Sequence, residues 1–113
     1  MHEMSITQSM FDLVLEQAKQ SGASKVSTIN LVIGEMTGVV GDSVRFYLEI
    51  LGKDSIAEGA AVNIKNIPAQ ARCHDCQKEF VIAEYQWICP ACGSINLEIT
   101  GGKELFIESI EVN

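Results

Sequence analysis

Residues 73–92 read CHDCQKEFVIAEYQWICPAC, and this stretch holds the four cysteines of the chain in two pairs. Two residues separate the cysteines of each pair, so that one short turn can direct both sulfur atoms at the same point. Gly93 follows the second pair and supplies the permissive backbone that a tight turn after the last ligand needs. Two such turns facing each other predict a tetrahedral four-sulfur site of the kind that zinc prefers.

Composition favours metal ligands over disulfides for these cysteines. The 113 residues are 47% hydrophobic, which predicts one folded domain, or one domain with a small insert. The first fifteen residues contain Glu3 and Asp12 and have no basic start followed by an apolar block, so no secretory signal is expected. The predicted compartment is therefore the cytoplasm, where paired cysteines bind metals more often than they form disulfides. A zinc or iron-type four-sulfur site is preferred over a redox-active dithiol and over structural disulfides.

The charge of the chain argues against nucleic acid as a partner. The formal net charge of −7 becomes about −9 once four cysteines have ionised and one Zn²⁺ has bound. Residues 69–102 contain the bases Arg72 and Lys78 against four acidic residues. A nucleic-acid module needs a basic footprint to offset phosphate charge. In addition, no apolar run approaches the roughly 18 residues of a membrane span. We therefore expect neither nucleic acid nor a membrane as partner, and a zinc-ribbon adaptor for nucleic acid or transcription proteins is the weaker alternative.

Hydrophobic periodicity predicts two helices. The first covers residues 5–20, because Ser5-x-x-Gln8 matches a capping box and Ser21-Gly22 ends the apolar pattern. Its predicted buried stripe consists of Ile6, Met10, Leu13, Val14 and Ala18. The second helix follows a cap at Asp42 or Ser43 and ends before Gly52. Its predicted buried stripe consists of Val44, Tyr47, Leu48 and Leu51.

The predicted strands cover residues 26–33, 61–67 and 104–112. In the last of these, Leu105 and Ile107 share one face, whereas Ile110 and Val112 indicate a bulge or a register change. Shorter strands are expected within the cysteine segment, around residues 79–82, 86–88 and 95–99.

These elements predict an α+β fold in which two helices pack on a small three-stranded mixed sheet, with an inserted four-cysteine zinc-ribbon lobe. The predicted domains are an α/β domain of residues 1–68 plus 103–113 and an inserted zinc-binding domain of residues 69–102.

The first three residues, Met1-His2-Glu3, offer a second kind of metal site. The amine of Met1 and the backbone nitrogen of His2 can close one chelate ring, and that nitrogen and the imidazole Nδ1 can close another. Three coplanar nitrogen atoms suit square-planar nickel(II) or copper(II), and Glu3 can add its backbone nitrogen or its carboxylate. A histidine at a chain start is nevertheless more often simply solvated.

Catalysis finds little support in the sequence. Four cysteines around zinc leave no open coordination position for a substrate. The chain has two histidines, His2 and His74, and no P-loop. His74 lies between two predicted ligands, either as a surface residue or as an alternative or supporting ligand. A metalloenzyme that uses His2 and nearby carboxylates is the remaining enzymatic alternative.

The segments Met1-His2-Glu3-Met4-Ser5, Ile33-Gly34-Glu35 and Arg45-Phe46, together with the cysteine quartet, resemble the HypA/HybF family of nickel metallochaperones. The resemblance covers essentially the full length of the chain. An initial Met-His-Glu combined with two Cys-x-x-Cys pairs at this distance is specific, whereas either feature alone would be weak.

The resemblance implies a nickel carrier in hydrogenase maturation rather than an enzyme. It implies that His2, with Glu3 and the amine of Met1, binds nickel(II) in the α/β domain. It implies a zinc site formed by Cys73, Cys76, Cys89 and Cys92. The implied partners are a HypB-type GTPase and the precursor of the [NiFe]-hydrogenase large subunit, with urease accessory proteins for some members. A monomer and a homodimer are both compatible with it, and an acidic role at Asp42 stays open.

Overall fold

The computed structural model describes residues 2–83 and 86–113, and the side chains of His2 and Glu3 lie outside this description. The molecule is elongated and measures 55 × 27 × 17 Å. Its helices are α1 (His2–Gln20) and α2 (Gly41–Gly52), with a short 3₁₀ helix at Glu35–Thr37. Its strands are β1 (Val26–Gly34), β2 (Ala61–Ile67), β3 (Gln70–Cys73), β4 (Glu79–Val81), β5 (Leu97–Gly101) and β6 (Leu105–Val112).

The larger sheet has the strand order β2-β1-β6. β1 pairs in parallel with β2, because α2 lies between them in the chain, and pairs antiparallel with β6. Both helices contribute to one core with the inward face of β1, where Ile29, Leu31 and Ile33 are buried. The predicted α+β fold with two helices and a mixed three-stranded sheet is confirmed.

The predicted irregularity in the last strand is also present. Asn30 pairs with Ser109 and Leu31 pairs with Ile107, which leaves Glu108 as an extra residue. The extra residue returns Ile110 to the face that packs against the core, next to Leu105 and Ile107.

The first helix differs from its prediction at its start and along one face. It begins at His2, and Ser5 lies inside it rather than at its cap. The Gln8 side chain donates a hydrogen bond to the carboxylate of Asp12, at 3.0 Å, instead of reaching back toward Ser5. Leu13 is 55% exposed, whereas Phe11 is buried, so the predicted stripe was wrong at that turn.

The second helix starts two or three residues earlier than predicted. Val40 occupies its N-cap position without a side-chain capping bond, so neither Asp42 nor Ser43 is the cap. Val44 and Leu48 are buried as predicted.

A second sheet, of order β4-β3-β5, carries the cysteines. Its strands pair antiparallel, around a small core of Ala69, Ala71 and Ile82. β3 was not predicted, because it directly follows Pro68 and Ala69, contains small residues, and pairs with a strand far along the chain, β5. Residues 86–88 do not form the predicted strand, and β5 runs two residues further than expected.

The two sheets meet where two glycines are in contact. Gly34 donates a backbone hydrogen bond to the carbonyl of Glu104, and Met36 donates one to the carbonyl of Gly102, each at 2.6 Å. A Cβ atom on Gly34 would collide with the backbone of Gly102, whose φ of 106° itself favours glycine. Close backbone contact at this junction therefore links the cysteine segment to the end of β1.

The start of α1 and the cysteine segment lie toward the same end of the larger sheet. A short turn after Gln20 reverses the chain, so α1 runs antiparallel to β1 and its first turn lies near the end of that strand. β2 ends and β6 begins at this end too, since β2 is parallel to β1 and β6 is antiparallel. Among the described residues, no helix has the length and apolar character needed to cross a membrane.

Candidate metal centre

The first pair of cysteines is held by a turn at the end of β3. The N–H of Cys73 donates to the carbonyl of Lys78 at 2.9 Å, and its own carbonyl accepts the N–H of Gln77 at 2.8 Å. Gln77 adopts a left-handed conformation with φ of 65°, and its side-chain amide donates to the carbonyl of His74. These bonds close the turn around Cys76.

The second pair repeats the same backbone pattern. The N–H of Cys89 donates to the carbonyl of Ser94, and its carbonyl accepts the N–H of Gly93, each at 2.8 Å. Gly93 has a φ of 75°, as the sequence predicted for the residue after the second pair. Gln77 occupies the matching position in the first turn, where a non-glycine residue accepts the less favourable conformation.

The four sulfur atoms converge on one point. All lie within 4.8 Å of one another, and the Cys73–Cys92 and Cys76–Cys89 sulfur separations are each 3.6 Å. A disulfide needs about 2.05 Å, so these cysteines are free thiols. Four sulfurs at 2.3 Å from a central Zn²⁺ would be about 3.8 Å apart in a tetrahedron, close to the separations here. The group can therefore hold a metal ion.

Each pair contributes one buried and one exposed cysteine. Cys73 and Cys89 are buried, whereas Cys76 and Cys92 are exposed. The buried cysteines are the first of each pair, where the chain enters the turn, so the exposed ones form an open side of the cluster. A metal ion could therefore reach the sulfurs without unfolding the sheet.

The electrostatics of the cluster favour a cation. Burial disfavours ionisation of Cys89, but hydrogen bonds from the N–H groups of Cys92 and Ala91 outweigh it and lower the pKa of Cys89 to about 6. A backbone hydrogen bond from Ser94 favours the Cys92 thiolate, but the contact with the Cys73 sulfur and partial desolvation outweigh it and raise the pKa of Cys92 to about 12. Neighbouring sulfurs thus oppose one another's ionisation, and a divalent ion would remove that opposition.

Comparison with known proteins identifies the family. A family model described as "Hydrogenase/urease nickel incorporation, metallochaperone, hypA" matches residues 1–112. The chain belongs to the HypA family.

Relatives within the HypA family match over the whole length of the chain. It is 45% identical to the hydrogenase maturation factor HypA of Dehalococcoides mccartyi strain 195, covering 100% of this chain and 95% of that protein. It is 39% identical to the hydrogenase maturation factor HybF of Klebsiella pneumoniae, covering 98% of each. These names describe maturation factors, not enzymes, which confirms that part of the prediction.

Solved structures of HypA proteins share the fold. The solution structure of the Ni metallochaperone HypA from Helicobacter pylori superposes with a TM-score of 0.67 at 29% identity, over 99% of this chain and 97% of that one. A second solution structure of a HypA protein gives a TM-score of 0.72 at 28% identity, over 100% and 97%.

The nickel site that resemblance to the HypA family implies falls on the first three residues. Met1 and the side chains of His2 and Glu3 lie outside the described residues, so this site stays a prediction. The helical backbone is described from His2 onward.

His74 does not belong to the sulfur cluster in this structure. Its Nε2 lies 3.5 Å from Oε1 of Glu98, and the guanidinium of Arg72 lies 3.0 Å from the same oxygen. This trio lies on the exposed face of β3 and β5, with the side chain of His74 46% exposed. The surface interpretation of His74 fits this arrangement, and a ligand role stays untested.

The sequence left the role of Asp42 open and did not predict two contacts between the cysteine turns. Asp42 lies in the first turn of α2 and pairs with Arg45 at 3.1 Å, so it already has a cationic partner. The hydroxyl of Ser94 donates to the carboxylate of Asp75, and the N–H of His74 donates to the carbonyl of Asn96 at 2.9 Å. These contacts join the two cysteine turns, and only the repeated spacing of the pairs hinted at them.

Proposed function

We propose that the chain binds nickel(II) through the Met1 amine, His2 and Glu3 and delivers it during maturation of [NiFe]-hydrogenase. The observation that carries the proposal is the match of the nickel-incorporation family over residues 1–112, in a chain that begins Met-His-Glu. Nickel is the cargo in this proposal. No bond of a substrate needs to be made or broken by the protein.

The position of His2 at the start of α1 supports chelation by the backbone. The first N–H groups of a helix have no acceptor within it, so the nitrogen atoms of His2 and Glu3 are not committed to helical hydrogen bonds. The same helix end carries a partial positive charge, which weakens the binding of a cation. Available backbone nitrogen ligands combined with a weakened affinity for the cation suit a carrier, because a partner protein must be able to take the nickel away.

We further propose that Cys73, Cys76, Cys89 and Cys92 hold a structural zinc ion. The sulfur separations fit tetrahedral Zn²⁺, and a thiolate set of this kind suits zinc. Four protein ligands leave no coordination position for a substrate, so the ion would stabilise the β3–β5 segment rather than act as a catalyst. On this proposal, residues 69–102 form a zinc-binding domain, and residues 1–68 plus 103–113 form the nickel-binding domain.

The partners follow from the proposed delivery. We expect a HypB-type GTPase and the precursor of the hydrogenase large subunit, with urease accessory proteins as a further recipient pathway, all in the cytoplasm. The family description names both hydrogenase and urease, which supports these two destinations at the level of the family.

Titration of the untagged protein with nickel tests the proposal. His2→Ala should abolish nickel binding, because it removes the imidazole from the chelate, while the zinc content stays unchanged. His74→Ala is the matched control, since it removes the other histidine of the chain and should leave nickel affinity intact. If His2→Ala bound nickel as tightly as the parent does, the proposed site would be wrong.

A further inference from the structure

Strand β6 forms one edge of the larger sheet and borders an apolar groove. The groove has a volume of about 440 Å³ and lies between α1 and β6. Its walls include Met10, Leu13 and Val14 from the helix and residues 105–110 from the strand. Leu13 is 55% exposed, so a large apolar side chain faces solvent on the helix wall. A groove of this volume is within the usual range for ligand clefts, about 300–1,000 Å³.

The two edge strands of this sheet, β2 and β6, differ in the hydrogen bonding of their backbone groups. At the β2 edge, Nε and Nη2 of Arg45 both donate to the carbonyl of Val62 at 3.3 Å, which satisfies an edge acceptor. In the described part of the chain, no hydrogen bond joins the backbone of β6 to any element other than β1. Proteins ordinarily protect edge strands, because unpaired N–H and C=O groups act as a template for another strand.

The register identifies the edge groups that are available. The N–H of Gly34 donates to the carbonyl of Glu104, which makes these two residues a hydrogen-bonded pair. Residues of an antiparallel strand alternate between hydrogen-bonded and non-hydrogen-bonded pairs, so the backbone groups of Leu105 and Ile107 point away from β1. Their side chains pack against the core, and only their backbone groups face the open edge.

Charge determines which occupant fits this edge. Glu108 and Glu111 lie in β6 and are exposed, and Glu104 directly precedes the strand. A second copy pairing through β6 would bring these acidic residues together, in a chain of net charge −7. A basic strand would instead gain attraction along the same edge.

We propose that β6 docks an extended segment of a partner protein that alternates apolar and basic residues. The segment adds as a fourth strand through the outward N–H and C=O groups of Leu105 and Ile107. Its apolar side chains fill the groove beside Leu13, and its basic side chains lie near Glu108. This docking site is independent of the nickel site, and the His2→Ala protein has the same affinity for the segment as the parent.

A strand-length synthetic peptide that alternates valine with lysine is the probe. Nuclear magnetic resonance of the labelled full chain should show slowed hydrogen exchange at the amides of Leu105 and Ile107 when the peptide binds. Two comparison peptides separate the contribution of charge from that of backbone pairing. One has glutamate in place of lysine, and one carries N-methyl groups that block pairing along one edge. Each should bind at least about tenfold more weakly than the parent peptide.

Two variants at exposed positions locate the site. Leu13→Lys should weaken binding of the basic peptide at least about tenfold, since it places a like charge in the groove. Ile50→Lys makes the same change on the exposed face of α2 and should leave binding unchanged. Equal binding of all three peptides, or an unaffected Leu13→Lys variant, would overturn the proposal. Dimerisation of the chain through β6 without peptide would overturn it too, in favour of a second copy as the occupant.

Discussion

At the scale of single residues, Gly34 holds the junction between the two sheets. Its φ of −82° and ψ of 144° are ordinary extended values, so any residue could adopt this backbone conformation. Glycine is required because of space, since a Cβ atom would overlap the carbonyl of Gly102 and lie 2.7 Å from the nitrogen of Glu104. Both neighbours are backbone atoms and cannot rotate away.

Gly34→Ala should therefore lower the free energy of unfolding by about 1–3 kcal/mol, the usual cost of forcing a methyl group into a packed site. Gly41→Ala is the control, because its Cβ would meet only side-chain atoms of Ile64, the nearest at 3.2 Å. Urea unfolding of both variants checks the prediction. A Gly34→Ala protein as stable as Gly41→Ala would mean that the junction is loose.

Residue patterns predicted the conformation correctly where it depends only on the local backbone. The conformation of Gly93 followed from its place after a cysteine pair. The capping box at Ser5 and Gln8 failed, because Gln8 has an alternative partner one turn further on, at Asp12. The left-handed conformation of Gln77 was not predicted, because only its position four residues after Cys73 indicates it.

At the scale of elements, the two cysteine turns work as a repeated unit. Cys73 and Cys89 each donate to the carbonyl five residues on and accept the N–H four residues on. This scaffold directs the four sulfurs toward one point and sets unequal pKa values among them.

Acid titration of metal-free protein in which the cysteine turns are still folded should reveal that inequality. The pKa of Cys89 is lowered from 9.0 to about 6, so its thiolate stabilises the folded state fully above pH 9. This contribution falls as the pH drops and is lost below about pH 6. Ultraviolet absorbance of the thiolate should show a step near that pH, and Cys89→Ala should remove it. Thiolate absorbance that first rises well above neutral pH would contradict the assignment.

Elements were predictable where their side chains follow a clear period. β1 and β2 were located within one residue, because Ile29, Leu31 and Ile33 alternate and Pro68 ends the second apolar run. β3 was missed because strand pairing with distant residues, rather than its own side chains, makes it a strand. Trp87 and Ile88 suggested a strand by composition, yet both are exposed in the approach to Cys89.

At the scale of the whole molecule, two cores of unequal size support an elongated shape. The larger core joins both helices to β1, whereas the smaller one contains Ala69, Ala71 and Ile82 with partly buried neighbours. A segment below roughly 40 residues rarely folds on its own core and usually needs a metal or disulfides. The cysteine spacing and the apolar strands are separate signals in the sequence, which is why it predicts a zinc-binding domain apart from the α/β domain, and that division stays a prediction.

Loss of the metal should therefore affect one part of the molecule. Cys73→Ala should release zinc and disorder residues 69–102, while α1, α2 and the β2-β1-β6 sheet stay folded. Hydrogen exchange, compared with the parent protein before and after chelation, checks this expectation. Unfolding of the entire chain in one transition would refute the independence of the two parts.

The most direct test of the account is a joint count of nickel and zinc bound to the untagged protein and to a version with one residue added before Met1. The parent should bind about one nickel and one zinc per chain, because each proposed site holds a single ion. The extended protein should keep its zinc and lose its nickel, since the added residue converts the Met1 amine into an amide and disrupts the chelate at His2. Nickel binding that is unchanged by the extension would contradict the central claim.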